Sequence, residues 1–249
     1  MEEFAPPLTD RCDWALFLDV DGTLIDIAPA PDEVVVPGDL APLLESIAAG
    51  LSGAVALVSG RRLADVERLF PLGLGGAGVH GAEWRLPGGA VHREGRWSAG
   101  TATAVAAEAG GLPGVMVEDK GLAVALHFRR VPEQAPAAIA LAEAAMAAAA
   151  PPLRLLRGKA VVELIPADAG KGRAIARFMG HAPFAGRIPV FVGDDVTDED
   201  GFEAVNRMGG VSIHVGAAAT AARYRLASPE AVRHWLHKLD AMIGGSAGR

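Results

Sequence analysis

The feature that most constrains the fold is a short apolar run that ends at two aspartates. Residues 14–18 read Trp-Ala-Leu-Phe-Leu, and Asp19 and Asp21 follow at once, before Gly22. A short, continuously apolar run bounded by polar residues is typical of a strand buried in a parallel sheet. Ligands of open α/β sheets bind beyond the carboxyl ends of such strands. The run therefore predicts an α/β fold with a functional edge at the two aspartates.

Apolar runs alternate with helix-like segments at both ends of the chain. The N-terminal part continues with a predicted helix at 38–49, a strand at 54–58 and a helix at 61–70. The C-terminal part contains predicted helices and strands in turn: 171–179, 189–192, 198–206, 211–215 and 229–242. This alternation favours a doubly wound parallel sheet. We expect residues 8–81 and 165–249 to form one discontinuous α/β domain.

The middle of the chain has a different pattern. Residues 83–96 are rich in turn-forming types. The segments that follow read as helices and strands without strict alternation: helices at 99–109 and 132–150, strands at 115–117 and 122–129, and a hairpin of 153–157 with 160–164. Such a pattern is typical of α+β structure. We expect residues 82–164 to form an inserted α+β domain.

The charge balance argues against a polyanionic partner. The chain has 23 Lys and Arg against 30 Asp and Glu, a formal net charge of -7 at pH 7. Nucleic acid repels such a protein unless its basic residues are clustered, so we expect no nucleic-acid partner. The hydrophobic share of 51% supplies the apolar surface that a folded core requires.

Two segments and one cysteine bear on where the protein works. Residues 1–7 contain neither a basic stretch nor an apolar run, so they do not resemble a secretory signal. The Ala-rich stretch 135–150 is interrupted by Pro136 and Glu143 and falls short of the roughly 20 apolar residues that span a bilayer. The single cysteine, Cys12, allows no internal disulfide. We expect a cytoplasmic protein without a membrane partner.

Acidic and hydroxyl side chains follow the predicted strands of the sheet. Asp19 and Asp21 follow the first strand, Ser59 follows the second, and an acidic run at 194–200 follows the strand at 189–192. Because the carboxyl ends of parallel strands share one edge, we expect these groups to converge. Several carboxylates in one place repel each other unless a hard cation with oxygen ligands compensates them, which favours Mg²⁺ as the cofactor.

A site of this composition suits the attack of a carboxylate on a phosphate ester. Asp19 is the candidate nucleophile and would form an aspartyl-phosphate, while Mg²⁺ shields it from the charge of the phosphate. Asp21 is the candidate acid and base for the leaving alkoxide and for water. Ser59 offers a hydroxyl to the phosphoryl oxygens, and Lys171 offers a positive charge at the start of a predicted helix. The sequence therefore predicts a magnesium-dependent phosphatase.

Four short motifs, in this order, resemble the signature of the haloacid dehalogenase (HAD) superfamily. They are Asp19-Val20-Asp21-Gly22-Thr23, Ser59-Gly60-Arg61, Lys171-Gly172 and Gly193-Asp194-Asp195. The resemblance implies a HAD-like Rossmannoid core, and a C2-type α+β cap between the second and third motifs. It also implies that Mg²⁺ is held by Asp19, by the main-chain carbonyl of Asp21 and by Asp194. Asp195 and Asp198 would then lie beside these ligands and support them.

Four further stretches resemble the trehalose-6-phosphate phosphatases. They are Glu-Asp-Lys at 118–120, His-Phe-Arg at 127–129, Gly-Lys-Ala-Val-Val-Glu-Leu-Ile-Pro at 158–166 and Gly-Val-His-Gly-Ala-Glu at 78–83. By motif, the resemblance implies that a set of charged cap residues contacts the sugar hydroxyls: Glu118, Lys120, Arg129, Lys159 and Glu163. Gly60 and Arg61 of the second motif join the substrate contacts. Phe128 stands where the family often has tyrosine, and on a strand it would point away from its charged neighbours.

Other interpretations stay open at this point. Glu118 and Glu163 also fit the surface of a sheet, as cross-strand partners of basic side chains. Sucrose 6-phosphate and mannosyl-3-phosphoglycerate are alternative substrates, and a hexose phosphomutase or a silent sugar-phosphate sensor is compatible with the motifs. His127 is expected on the face opposite the neighbours of Arg129, and His80 has no assigned role. A trehalose-6-phosphate synthase, as a possible partner, is expected to be a separate chain.

Overall fold

The structure is a computed structural model that describes residues 6–8, 13–28, 33–150, 152–158 and 160–246. Cys12 and Lys159 lie outside the described residues. Within these ranges the strands form two sheets, one of eight strands and one of four. No helix in the described part of the chain combines the length and the apolar character that a membrane crossing requires.

The secondary structure alternates as expected at both ends of the chain. The strands are β1 (Trp14–Leu18), β2 (Val55–Val58), β3 (Gly75–Gly78), β4 (Glu83–Arg85), β5 (His92–Arg93), β6 (Met116–Asp119), β7 (Val124–His127), β8 (Leu153–Gly158), β9 (Val161–Pro166), β10 (Ile188–Gly193), β11 (Val211–Val215) and β12 (Tyr224–Leu226). The helices are α1 (Leu40–Gly50), α2 (Leu63–Leu69), α3 (Ala99–Ala109), α4 (Ala135–Ala148), α5 (Lys171–Phe178), α6 (Glu199–Arg207) and α7 (Pro229–Ser246). Short 3-10 turns at Val79–Gly81, Pro132–Gln134 and Val196–Asp198 complete the elements.

The larger sheet brings the two ends of the chain together. Its strand order is β12-β11-β10-β1-β2-β3-β4-β5, and it is parallel from β12 to β3. The hydrogen-bonded neighbours of β1 are β10 and β2, and all five residues of β1 are buried. This arrangement confirms the predicted parallel core. It also places the carboxyl ends of β1, β2 and β10 at one edge.

Aromatic packing holds the central strands in place. Phe17 of β1 contacts Phe178 of α5 and Phe184, with ring centroids 5.7 and 5.5 Å apart. Trp14 stacks on Trp235 of α7 at 6.3 Å. Burying aromatic rings removes a large apolar area from water and adds favourable ring–ring contacts. The strand that leads to Asp19 is therefore anchored to α7 and to α5, the helix that begins at Lys171.

Strands β3, β4, β5 and β12 are not predicted by the sequence pattern. β3 reads Gly-Gly-Ala-Gly and has no residue with a high strand propensity; it is a strand because it pairs with β2. A Cβ on Gly76 would lie 2.6 Å from Cδ1 of Leu63, so glycine permits the close approach of α2. The expected turn-rich stretch 83–96 contains β4 and β5, which extend the larger sheet in an antiparallel manner.

The smaller sheet is antiparallel, with the order β6-β7-β9-β8. One face packs on α3 and α4 through a second apolar cluster, which includes Phe128 as expected. On the sheet, the register aligns Glu118, Ala125 and Glu163 in one row. The division into 8–81 with 165–249 and 82–164 stays a prediction. Because β4 and β5 pair with the larger sheet, the strand pairing favours an insertion that begins after β5 and not at residue 82.

Candidate active site

Asp19 lies at the carboxyl end of β1, where the sequence predicted a nucleophile. Its side chain is buried, and Lys171 Nζ donates a hydrogen bond of 2.7 Å to its Oδ1. Thr23 Oγ1 lies 3.3 Å from the other carboxylate oxygen and donates to it. Burial raises the pKa of Asp19 well above its ordinary value, and the charge of Lys171 opposes that effect. The positive charge of Lys171 therefore favours the ionised carboxylate, against the effect of burial.

Lys171 opens α5 and lies between two carboxylates. Its Nζ also donates to Oδ1 of Asp198, at 2.5 Å, and both side chains are buried. Burial lowers the pKa of Lys171, but the charges of Asp19 and Asp198 outweigh it and raise the pKa far above the ordinary value. The ammonium therefore stays charged at the floor of the site.

Asp198 is fixed by the backbone as well as by Lys171. Its Oδ2 accepts hydrogen bonds from the backbone N–H groups of Asp194 and Asp195, at 3.0 and 2.9 Å. A Cβ on Gly193 would lie 2.4 Å from Cγ of Asp198, so glycine leaves room for this carboxylate. Asp198 is fully buried. It orients the loop after β10 and so sets the position of Asp194.

The carboxylates of Asp19, Asp194 and Asp198 form a cluster that suits a divalent cation. They are buried, and one oxygen from each lies within 4.8 Å of the others. Hard cations prefer oxygen ligands of this kind. Asp198 accepts hydrogen bonds from Lys171 and from two backbone N–H groups, so its carboxylate is the most fully engaged of the three by the contacts described above.

Ser59 and Asp21 border the same space. Ser59 follows β2, is buried, and its Oγ accepts the backbone N–H of Arg61 at 3.1 Å. The side chain of Asp21 is one third exposed and forms a bidentate ion pair with Arg61. Arg61 Nε donates to Oδ2 at 2.7 Å, and Nη2 donates to Oδ1 at 2.6 Å. Asp21 thus stands beside the acidic cluster while its carboxylate is held by Arg61.

The smaller sheet presents charged side chains toward the same space. Glu118 of β6 lies 2.8 Å from His127 Nε2 across the strand pair. Lys120 Nζ donates to Glu163 Oε2 at 3.0 Å and to the backbone carbonyl of Gly60 at 3.1 Å. Arg129 Nη1 donates to the carbonyl of Ala28 at 3.1 Å. Lys120 and Arg129 therefore bridge from the smaller sheet to loops of the larger one.

The ion pairs lower the pKa values of the two glutamates. Burial on its own raises the pKa of Glu163, but the charges of Lys120 and His80 outweigh it and bring the pKa far below 4.5. For Glu118, burial is likewise outweighed by the hydrogen bond with His127 and by Lys120, so its pKa is lowered. Both carboxylates are held in the ionised form, which accepts hydrogen bonds.

These groups lie around an open cavity of about 530 Å³. We call its base, together with Asp198 directly behind it, the floor (Asp19, Ser59, Lys171, Asp194 and Asp198), and its upper side the roof (Glu118, Lys120, His127, Arg129 and Glu163). The predicted site residues that line the cavity are Asp19, Asp21, Ser59, Gly60, Arg61, Glu118, Lys120, Arg129, Glu163, Lys171, Asp194 and Asp195. Asp198 lies behind them, and Lys159 falls outside the described residues. The structure thus brings predicted residues from both parts of the chain to one space.

Two histidines of the cavity wall were missed or misplaced by sequence reasoning. His127 was expected on the opposite face, but its register with Met116 and Val161 puts it on the face that lines the cavity. The sequence could have indicated this face, because residues two apart on a strand point to the same side. His127 is two residues from Ala125, which shares a row with Glu163. His80, which had no predicted role, also lines the cavity and contacts Glu163.

Comparison with known proteins identifies the family. Residues 17–230 match the family model described as trehalose-phosphatase. A probable trehalose-phosphate phosphatase of Sinorhizobium fredii is 46% identical over 93% of this chain and 90% of its own length. The trehalose-6-phosphate phosphatase of Escherichia coli K12 is 42% identical over 96% of this chain and 90% of its own length.

Solved structures share the fold. The C-terminal domain of the Candida albicans trehalose-6-phosphate phosphatase superposes with a TM-score of 0.80 at 21% identity, over 98% of this chain and 99% of that domain. This similarity confirms the HAD-like parallel-sheet core with an inserted cap, a fold also found in phosphatases of that superfamily. From the family match and the two bacterial relatives together, we conclude that this chain is a phosphatase that belongs to the trehalose-phosphatase family.

Proposed function

We propose that this protein hydrolyses trehalose 6-phosphate to trehalose and phosphate, as a step of trehalose biosynthesis. The observation that carries the reaction type is the buried contact of Asp19 with Lys171 beside the Asp194 carboxylate, at the floor of one cavity. The names of the two bacterial relatives support the substrate. The volume of about 530 Å³ is within the range typical of pockets for small ligands.

In this proposal Asp19 is the nucleophile. One of its carboxylate oxygens attacks phosphorus, the ester P–O bond breaks, and an aspartyl-phosphate forms with release of the sugar alkoxide. Asp21 gives a proton to that alkoxide and then takes one from the water that cleaves the aspartyl-phosphate. Both Asp21 oxygens are occupied by Arg61 in this structure, so one of them must be freed before the proton moves. The phosphate of the substrate is an alternative partner for Arg61.

Mg²⁺ suits the acidic cluster, and the proposed ligands are the Asp19 carboxylate, the Asp21 main-chain carbonyl and the Asp194 carboxylate. When bound, the ion reduces the repulsion between a carboxylate nucleophile and a phosphate dianion. Asp195 and Asp198 are proposed to support Asp194 through the loop that carries it. Ser59 and Lys171 are proposed to bind the phosphoryl oxygens. Ser59 would donate its hydroxyl hydrogen to one of them, and the Lys171 ammonium would attract them through its positive charge.

The sugar is proposed to bind under the roof. Glu118, Lys120, Arg129 and Glu163 supply charged donors and acceptors for its hydroxyl groups, together with Gly60 and Arg61 on the floor side. Lys159 keeps the same predicted role from sequence alone. A disaccharide has hydroxyls on both rings, so recognition by several charged groups at once favours it over a small phosphate ester. We further propose a cytoplasmic location and a separate synthase chain that supplies the substrate.

The proposed function is tested by a panel of phosphate esters with Mg²⁺ and with a chelator. Phosphate release from trehalose 6-phosphate should exceed release from glucose 6-phosphate, sucrose 6-phosphate and mannosyl-3-phosphoglycerate, and the chelator should abolish it. A clear preference for one of those other esters would contradict the substrate assignment. Interconversion of hexose phosphates without free phosphate would indicate a phosphomutase, and an inactive protein would indicate a sensor.

A further inference from the structure

His80 lies in the turn that leaves β3, and its backbone is strained. Val79 and His80 both have positive φ angles, 48° and 53°. A β-branched residue in this region is a true outlier, and such strain is kept only where the surroundings hold it. The N–H of Val79 donates to the carbonyl of Arg61 at 2.7 Å, and the N–H of His80 donates to that of Ser59 at 3.0 Å. The turn is therefore tied to the loop that carries Ser59.

The imidazole of His80 is packed between that loop and the smaller sheet. The residue is only 4% exposed. A Cβ on Gly60 would lie 2.7 Å from Cε1 of the ring, so position 60 must be glycine to admit it. On its far side, His80 Nε2 lies 3.3 Å from Oε2 of Glu163. One side chain thus connects the Ser59 loop with a carboxylate of the roof.

Glu163 also binds the ammonium of Lys120. The same oxygen, Oε2, accepts from Lys120 Nζ at 3.0 Å, and that ammonium donates to the carbonyl of Gly60 at 3.1 Å. His80, Glu163 and Lys120 are each more than nine-tenths buried. Hydrogen bonds run from the Gly60 carbonyl through Lys120 and Glu163 to His80, whose backbone N–H donates to the carbonyl of Ser59. A hydrogen-bond network that is anchored at two adjacent residues fixes each member more firmly than a single contact does.

The surroundings of the ring indicate which nitrogen carries the proton. His80 Nδ1 is buried and has no hydrogen-bond partner among the described residues. An ionised carboxylate only accepts hydrogen bonds, so the 3.3 Å contact with Glu163 Oε2 places a proton on Nε2. His80 is thus a donor that orients the Glu163 carboxylate.

From these contacts we infer that His80 is a positioning residue for sugar recognition: it holds Glu163, and through Glu163 also Lys120, at the place where the roof meets the Ser59 loop. This inference rests on the proposed function in one respect, namely that the roof contacts the sugar. His80 itself has no part in the phosphoryl transfer. Its loss should weaken binding of a sugar phosphate and leave attack on a small ester intact.

The test compares His80→Asn with His80→Gln. Asn tolerates the positive φ at this position better than other non-glycine residues, but its amide is too short to reach Glu163. Gln places an amide N–H close to the position of Nε2, at some cost in backbone strain. We expect His80→Asn to raise KM for trehalose 6-phosphate about tenfold, with kcat/KM for p-nitrophenyl phosphate within about threefold of wild type. His80→Gln should restore KM to within about threefold of wild type.

Three results would overturn the inference. These are an unchanged KM in His80→Asn, an equal loss on both substrates, and a failure of His80→Gln to do better than His80→Asn. Urea unfolding of both variants checks that each is folded at the assay temperature. The variants are assayed on whichever sugar phosphate the wild type hydrolyses fastest, so a wrong substrate assignment does not affect the comparison. A wild type without preference for any sugar phosphate over p-nitrophenyl phosphate would contradict both proposals.

Discussion

The floor and the roof of the cavity are both charged, but their charges are held in different ways. Floor carboxylates contact Lys171 and backbone N–H groups of the loop after β10, and these contacts need no part of the smaller sheet. The roof is held by pairs within the smaller sheet, by the contact of His80 with Glu163, and by single contacts to the Gly60 and Ala28 carbonyls. The floor is therefore complete by itself, whereas the arrangement of the roof depends on how the two parts meet. This difference suggests that the floor performs the chemistry and the roof selects the sugar.

The largest expected effect on activity is the loss of the nucleophile on the floor. Asp19→Asn should lower kcat on every phosphate ester by on the order of 10⁴-fold, because removing a nucleophile abolishes the covalent route. Phosphate release from trehalose 6-phosphate and from p-nitrophenyl phosphate measures the loss. Asp26→Asn is the matched control, since Asp26 is exposed and pairs only loosely with Arg233, at 3.7 Å. Retained activity in Asp19→Asn would remove Asp19 from the mechanism.

Lys171→Met should affect both stability and activity. Without the ammonium, Asp19 and Asp198 remain buried next to each other with no cation, which costs about 3–5 kcal/mol in unfolding free energy. Urea denaturation in the presence of a chelator measures this effect, and Lys238→Met on the exposed side of α7 is the control. If both variants unfold at the same urea concentration, Lys171 does not neutralise the floor.

Glu118→Gln tests a single group of the roof. The substitution keeps the shape but removes the charge that pairs with His127 and lines the cavity. We expect kcat/KM for trehalose 6-phosphate to fall about 10- to 100-fold, the range for one hydrogen bond to a charged group. The matched control is Glu143→Gln on α4, which pairs with Arg157 on the surface. A similar fall on p-nitrophenyl phosphate would argue that Glu118 supports the floor instead.

The smallest expected effect is the pH dependence of the stabilisation that Glu163 contributes. Because its pKa is lowered in the folded protein, the unfolded chain binds more protons at acidic pH, and the stabilisation is lost as pH falls below the ordinary value of 4.5. The difference in unfolding free energy between wild type and Glu163→Gln should shrink by about 1 kcal/mol between pH 7 and pH 4. Denaturation curves at the two pH values measure it. A difference that is the same at both would show that Glu163 is not held ionised.

Local sequence was sufficient to predict the floor. Asp19 and Ser59 follow apolar runs, and the shared edge of a parallel sheet brings such residues together without knowledge of side-chain contacts. β3 could not be predicted in this way, because a Gly-Gly-Ala-Gly strand is defined by its neighbour β2 and by the close approach of Leu63. The roof was predicted by motif resemblance, but its pairings were not. The contacts of His127 and His80 depend on register and on packing between distant segments.

The central claim is that the floor works without the sugar contacts of the roof. A double variant, Glu118→Gln with Lys120→Met, tests it by comparison of kcat/KM on trehalose 6-phosphate and on p-nitrophenyl phosphate. We predict a loss of at least about 100-fold on the sugar phosphate and a value within about threefold of wild type on the aryl phosphate. A proportionate loss on both substrates would contradict the division of labour between floor and roof.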